Sequence, residues 1–271
     1  MTISIIGLGW LGTPLAAELQ NQGYTVKGST TKPDKRALLR ADGIEAFQLI
    51  LDPVVKGELP VSLFDTDILL INVPPSRRSK PADFHPKQIQ QLKDLIVQNQ
   101  IKKVLYVSAT SVYPGENQLA RETTPLSLAN TGNPTLLNAE NLLWENKNYD
   151  LTVIRFGGLL GDDRIPGRYF SGKENVAGHP PVNYIHRRDA VRAIPWILTN
   201  RLWNETFNIV SPVHPSKKEV FEKNAADFGF PPPASYENPE RQLWKKISPD
   251  KWIQTGFIFD FDNPLDFSYT P

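Results

Sequence analysis

The chain has 271 residues, is 40% hydrophobic and 22% charged, and carries a formal net charge of +1. A length of that order holds one large globular domain, alone or with a small lobe, and the near-neutral charge lacks the basic footprint of a nucleic-acid binder. No apolar run approaches the roughly 18 residues needed to span a bilayer and the start lacks the basic flank of a signal peptide, so neither a nucleic-acid nor a membrane partner is expected, and the location is expected to be cytoplasmic. The absence of cysteine excludes disulfides and thiolate chemistry. His85, His179, His186 and His214 show no metal-site spacing such as His-Glu-x-x-His, so no metal is expected.

The chain opens with the apolar run ISII, which meets GLGWLG, a Gly-x-Gly-x-x-Gly turn. Gly7 turns the chain tightly, Gly9 lets the backbone approach a pyrophosphate, and Gly12 lets the next helix pack close to the strand. Trp10 and Leu11 complete the turn, whose amides face phosphate at the helix N-terminus. Residues 10–22 read as that helix, with Leu11, Leu15 and Leu19 on one face and Pro14 tolerated in the first turn. Residues 24–30 give a second strand, completing a βαβ unit of roughly thirty residues.

Strands follow at 44–51, ending at Asp52, and at 67–75, then a helix over 86–99 with Ile89, Leu92, Leu95 and Ile96 on one face. A strand at 102–110, a helix over 138–146 and a strand at 149–161 continue the alternation. Near-continuous apolar character in ILLIN, VLYV and LTVI suits strands buried on both faces. The expected fold class is therefore α/β, a Rossmann-type doubly wound parallel sheet. Beyond Asp162 short elements rich in proline and aromatics suggest a small substrate lobe, with FPPPASYENP as a loop. The expected division is a nucleotide-binding domain over 1–161, to which 182–210 return with a helix (187–198) and a strand (206–210), and a lobe formed by 162–181 and 211–271.

NAD selectivity usually rests on an acidic residue at the end of the second strand, which accepts from the ribose hydroxyls and repels a phosphate. Here that place holds Ser29, Thr30, Thr31 and Lys32, with Lys35 and Arg36 a turn later. Hydroxyls and cations favour NADP over NAD, since ammonium and guanidinium groups bind phosphate oxygens well.

Several later segments resemble landmarks of the extended short-chain dehydrogenases of the NAD-dependent epimerase/dehydratase family. VLYVSATSVYPG resembles its Ser-Ser-x-x-Val-Tyr-Gly turn, ETTPL with NAENLLW the helix that bears its catalytic Tyr and Lys, VIRFGGLLG its Arg-x-x-Asn-x-Tyr-Gly strand, and NYIHRRDAVRAI its Ile-His-x-x-Asp segment. The opening turn, the Thr/Lys-rich second turn, INVPPS and TGFIFDFDNPLDF are similar to the atypical YeeZ-like branch. The resemblance implies that Asp52 contacts the adenine amino group and that Asn72, Val73 and Pro74 line ribose and nicotinamide. It also places Ser108 among the cofactor contacts. Family members often pair through helices after the fourth and fifth strands, so a monomer or a homodimer is expected; Leu136, Leu137 and Leu142 serve either that interface or the core.

Aligned on Glu140, Gly132 stands where the family has its tyrosine and Leu136 where it has its lysine. Lysine lowers the phenol pKa so that tyrosine can exchange a proton with substrate, and no Tyr-x-x-x-Lys occurs near this helix. The substrate-orienting hydroxyl falls at Ala109, flanked by Ser108, Thr110 and Ser111, and Gly158 stands where the family often has Asn. The catalytic residues are thus unassigned, with Tyr113, Thr110 and Ser111 as candidates. Substrate candidates are Tyr113, Arg164 and His186; Tyr113 reads equally as an aromatic wall and His186 as a structural hydrogen bonder. Arg155, inside an apolar strand, must be paired or face a ligand. Asp189 reads as orienting a helix start, while Arg168, Arg187 and Arg188 with Arg164 read either as anion ligands or as solvated loops. Two functions follow: an NADP(H)-dependent oxidoreductase acting on a small carbonyl or sugar-like substrate, or a non-catalytic nucleotide sensor or scaffold. A β-hydroxyacid dehydrogenase shares the opening turn but requires a long all-helical C-terminal half.

Overall fold

The structure is a computed structural model and describes residues 1–75 and 80–270; Ser76 of INVPPS lies outside them. The chain begins with β1 (Thr2–Ile6), α1 (Gly12–Asn21), β2 (Thr25–Thr30), α2 (Pro33–Ala41) and β3 (Glu45–Gln48). A hairpin of β4 (Ile50–Leu51) and β5 (Val55–Lys56) precedes β6 (Ile68–Ile71), α3 (Phe84–Gln98) and β7 (Lys103–Ala109). Next come β8 (Gln118–Ala120), α4 (Pro134–Trp144), β9 (Asp150–Phe156), β10 (Gly158–Leu160), α5 (Pro166–Tyr169) and β11 (Tyr184–His186). Then α6 (Arg187–Thr199), β12 (Glu205–Ile209), α7 (Lys217–Phe228), β13 (Lys245–Ile247) and α8 (Asp250–Ile253) complete it.

A seven-stranded parallel sheet runs in the order β12-β9-β7-β6-β1-β2-β3, the expected Rossmann-type fold. The chain moves outward from β1 through β2 to β3 and then restarts at β6 on the other side of β1. That reversal is the switch point beside which such sheets bind ligands at their carboxyl ends. Registers bring those ends together, since Ile6 pairs with both Ser29 and Ile71.

Two expected strands break. Only Glu45–Gln48 of the third strand joins the sheet; Ile50 and Leu51 turn into the antiparallel hairpin, closed where Asp52 N–H donates to Val54 O at 2.8 Å. The sixth leaves the sheet at Gly157, where an added Cβ would lie 2.4 Å from Asn183 O, and its continuation β10 pairs with β11 instead. Conversely, α4 starts a turn earlier than expected, because Asn133 Oδ1 caps it by accepting from Leu136 N–H at 3.2 Å and Pro134 sits at its first position.

The chain divides into two compact units. One comprises Met1–Ser108, Ser127–Ile154 and Val191–Thr206; the other Ala109–Leu126, Arg155–Ala190 and Phe207–Pro271. In the first, Ile6, Leu69, Ile71 and Val104 of the strands close on Ile89, Leu92 and Ile96 of α3 and on Leu143 of α4. In the second, Val176, Val182, Val220 and Phe221 form a smaller core against Phe170 and Tyr236. Its helix α7 has a capping box between Ser216 and Glu219 and ends on Gly229 in the left-handed conformation.

Candidate functional site

In the first unit the opening turn is locked to its neighbours. Leu8 N–H donates to Ser29 O at 2.7 Å, Gly7 N–H to Ser29 Oγ at 3.2 Å, and Asn72 Nδ2 to Gly7 O at 2.9 Å, so the switch point is bridged by side chain and backbone. Gly7 has φ +109°, and an added Cβ there would meet Asn72 O at 2.4 Å; one on Gly12 would lie 2.2 Å from Gly7 O. Gly9 differs, since its Cβ would meet no protein atom within 4 Å. Packing does not require that glycine. With no side chain capping α1, the open backbone and the helix N-terminus fit a pyrophosphate, as the chemistry of the turn demands.

Gly7, Gly9, Thr30, Thr31, Lys32 and Lys35 line a hollow of about 270 Å³ that contains no carboxylate. A second, of about 140 Å³, has apolar walls from Leu49, Leu51, Val73 and Pro74 and also touches Asn72 and Gln88. Gln88 went unread in the sequence. Its Nε2 donates to Leu51 O at 2.7 Å, which fixes Oε1 as acceptor for His85 Nδ1 at 3.2 Å; His85 Nε2 then faces Tyr106 OH at 3.0 Å. Burial pushes the His85 imidazole below its usual pKa, and Tyr106, also buried, is pushed well up.

Other expected cofactor residues lie apart from these hollows. Leu11 is buried and Trp10 half-buried, and neither side chain lines them. Arg36 faces a different hollow, in company with Arg40. Asp52 is ion-paired with Lys56 and, at 2.9 Å, with Lys80, which together hold its carboxyl down at about 2. Ser108 is buried and donates from Oγ to the buried Glu140 at 2.5 Å. Gly132 is exposed and precedes α4, and Leu136 is buried.

In the second unit Tyr113 is fully buried. Its hydroxyl donates to Asn208 Oδ1 at 2.9 Å and accepts from Arg155 Nη1 at 2.6 Å, with the guanidinium 5.1 Å from the ring centroid. Arg155 is thus the paired charge that an apolar strand required. Burial pushes the phenol up, opposed by the Arg155 charge and the Asn208 bond. Thr110 is buried and Ser111 exposed. Lys245, absent from the sequence reading, donates to Thr110 O at 3.1 Å and to Tyr113 O, and burial brings its amine down to about 8.

His186 donates from Nε2 to Ser268 O at 3.0 Å, accepts from Arg188 N–H at 3.2 Å and lies tilted at 37° against Phe261, with ring centroids 4.0 Å apart. Both ring nitrogens are engaged, and burial lowers its pKa. Asp189 accepts from the backbone N–H groups of Asp260 and Phe261 at 2.8 and 2.9 Å, holding the C-terminal segment. Arg187 pairs with Asp162 and Arg188 with Asp260; Arg164 is exposed, and Arg168 lies 5.8 Å from the Phe230 ring centroid. Among the described residues, no group of three or more histidine, aspartate or glutamate side chains is placed to hold a metal, and no helix is long and apolar enough to cross a membrane.

Residues 2–75 match the family model described as the NAD binding domain of 6-phosphogluconate dehydrogenase. Over 267 residues, 97% of each chain, the sequence is 32% identical to Protein YeeZ of Escherichia coli strain K12. The chain belongs to the YeeZ family. A solved structure of a functionally unknown conserved protein from Silicibacter pomeroyi DSS superposes with a TM-score of 0.78 at 23% identity, covering 97% of this chain and 95% of that one. MoeE5 in complex with UDP-glucose and NAD superposes with a TM-score of 0.77 at 19% identity, covering 99% and 97%. These superpositions show that this chain shares its fold with both structures.

Proposed function

We propose that this YeeZ-family protein binds NADP(H) and works as an oxidoreductase of the epimerase/dehydratase kind on a small carbonyl or sugar-like substrate, without a Tyr-x-x-x-Lys pair. The observation that carries the reading is the hollow at the end of β2, where Thr30, Thr31, Lys32 and Lys35 meet Gly9 and no carboxylate is present. Cations and hydroxyls favour a ribose phosphate there, and an NAD-type acidic partner is missing. The matched NAD-binding family model and the NAD named with MoeE5 support a pyridine nucleotide.

The bound nicotinamide would supply the hydride donor or acceptor. In this reading the α1 N-terminus and Gly9 hold the pyrophosphate, Lys32 and Lys35 the ribose phosphate, and Leu49 and Leu51 the base. Val73 and Pro74 add a wall without a proline amide donor, which excludes water from that face. Tyr113 makes a poor proton donor, because its hydroxyl is committed to Asn208 and burial raises its pKa. Thr110 and Ser111 are the residues proposed in its place for proton exchange with the substrate. Following NADPH oxidation across carbonyl compounds and nucleotide sugars tests this, and turnover on one class supports it.

A sensor or scaffold role is favoured by three observations: Gly132 lies outside α4, Leu136 is buried and the Tyr113 hydroxyl is committed to Asn208. Bound cofactor with no turnover on any substrate selects that role.

A further inference from the structure

Arg36 belongs to the basic run that follows β2, yet it faces away from the nucleotide hollows. It lines a separate hollow of about 780 Å³, which shares no residue with the two nucleotide hollows. That volume is of the size that holds small ligands.

Its walls are fastened to the sheet. On one side α2 presents Arg36 and Arg40 four residues apart, hence on one face. Arg40 Nε donates to Ala46 O at 2.8 Å and its guanidinium lies 5.9 Å from the Phe47 ring centroid. On the other side, the segment from Gly57 to Ser62 is pinned where Lys27 Nζ donates to Ser62 O at 2.9 Å and Asp65 O at 3.1 Å. Phe47, Ile50 and Leu59 give the hollow apolar surface, and the charged groups lining it are Arg36, Arg40, Lys56 and Glu58. Lys56 is engaged by Asp52, whereas the terminal nitrogens of Arg40 remain as a fork suited to phosphate or carboxylate oxygens.

We infer that this hollow is a second ligand site, for a small amphipathic anion: a phosphate, sulfonate or carboxylate group held by Arg36 and Arg40, and an apolar body laid along Phe47, Ile50 and Leu59. Its occupant is distinct from the dinucleotide, and both bind at once.

The test uses 8-anilinonaphthalene-1-sulfonate, an aromatic sulfonate, as fluorescent probe on the full chain with saturating NADP⁺. Saturable binding of about one probe per chain is expected, and Arg40→Glu should weaken it about tenfold or more. Because Arg40 also braces β3, Val61→Glu is the second variant. Val61 is 67% exposed at the same hollow, so the new charge should repel the probe and leave the thermal midpoint unchanged. Displacement of the probe by NADP⁺, no saturable binding, or affinity unchanged in both variants overturns the inference. If NADP⁺ itself fails to bind while the variants still abolish probe binding, the cofactor reading fails and the second site stands.

Discussion

Ser108 Oγ and Glu140 are joined at 2.5 Å, and both side chains are buried. Glu140 follows Leu136 by four residues on α4, so the carboxylate shares a helical face with a position where the family resemblance calls for lysine. A buried carboxylate must keep its donors. Ser108→Ala removes one, and should cost about 1.5–3 kcal/mol, the range for hydrogen bonds to charged groups. Urea unfolding measures it; a loss under about 0.5 kcal/mol, typical of a neutral surface change, would show that Glu140 does not depend on Ser108.

The glycines of the opening turn should separate. Gly12→Ala drives a Cβ to within 2.2 Å of Gly7 O, and should destabilise the fold by about 1–3 kcal/mol, as overpacking does. Gly9→Ala meets no protein atom within 4 Å, so stability should hold while dinucleotide affinity drops about tenfold or more. Equal effects of the two variants on stability would contradict a ligand-facing role for Gly9.

Tyr113→Phe deletes the hydroxyl between Arg155 and Asn208. It leaves Asn208 Oδ1 without that donor and removes one acceptor from Arg155. Unfolding stability should fall by about 1.5–3 kcal/mol with dinucleotide affinity unchanged, as calorimetric titration would show. A variant of full stability that loses turnover on an identified substrate would restore Tyr113 as a catalytic residue.

Acid should destabilise this protein as the pH falls below about 6.5, the ordinary imidazole value. Burial lowers the pKa of His85, His186 and His214 below the ordinary imidazole value. In the window below 6.5 the unfolded chain therefore binds more protons than the folded one, and stability falls as pH falls. It is fully present above the unfolded value. His85→Gln should flatten the dependence of the urea midpoint on pH; a midpoint that rises on acidification would contradict the neutral, buried state of these rings.

Much of this was legible locally. GLGWLG, the run ISII and the alternation of apolar strands and helices are signals a few residues long, and they suffice for the doubly wound sheet. Arg155 was legible as a charge needing a partner, although its partner, Tyr113, was not. Lys245 escaped because it meets Tyr113 O across 132 residues of sequence, and no local pattern marks such a pairing. Lys35 and Arg36 are neighbours in sequence, but helix geometry turns adjacent side chains to different faces, and only the structure separates the hollows they line. The break in the third strand was missed because its apolar run continues past Gln48. Ser216, Glu219 and Gly229, by contrast, are cap signals present in the sequence, and α7 could have been read from them.

Titration of the full chain with NADPH and NADH, in parallel with a Lys32→Ala/Lys35→Ala variant, tests the central claim most directly. The expected result is micromolar NADPH binding, weaker NADH binding, and a gap of about tenfold or more that narrows in the variant. Equal affinity for the two nucleotides in the unaltered protein, or tighter NADH, would contradict it.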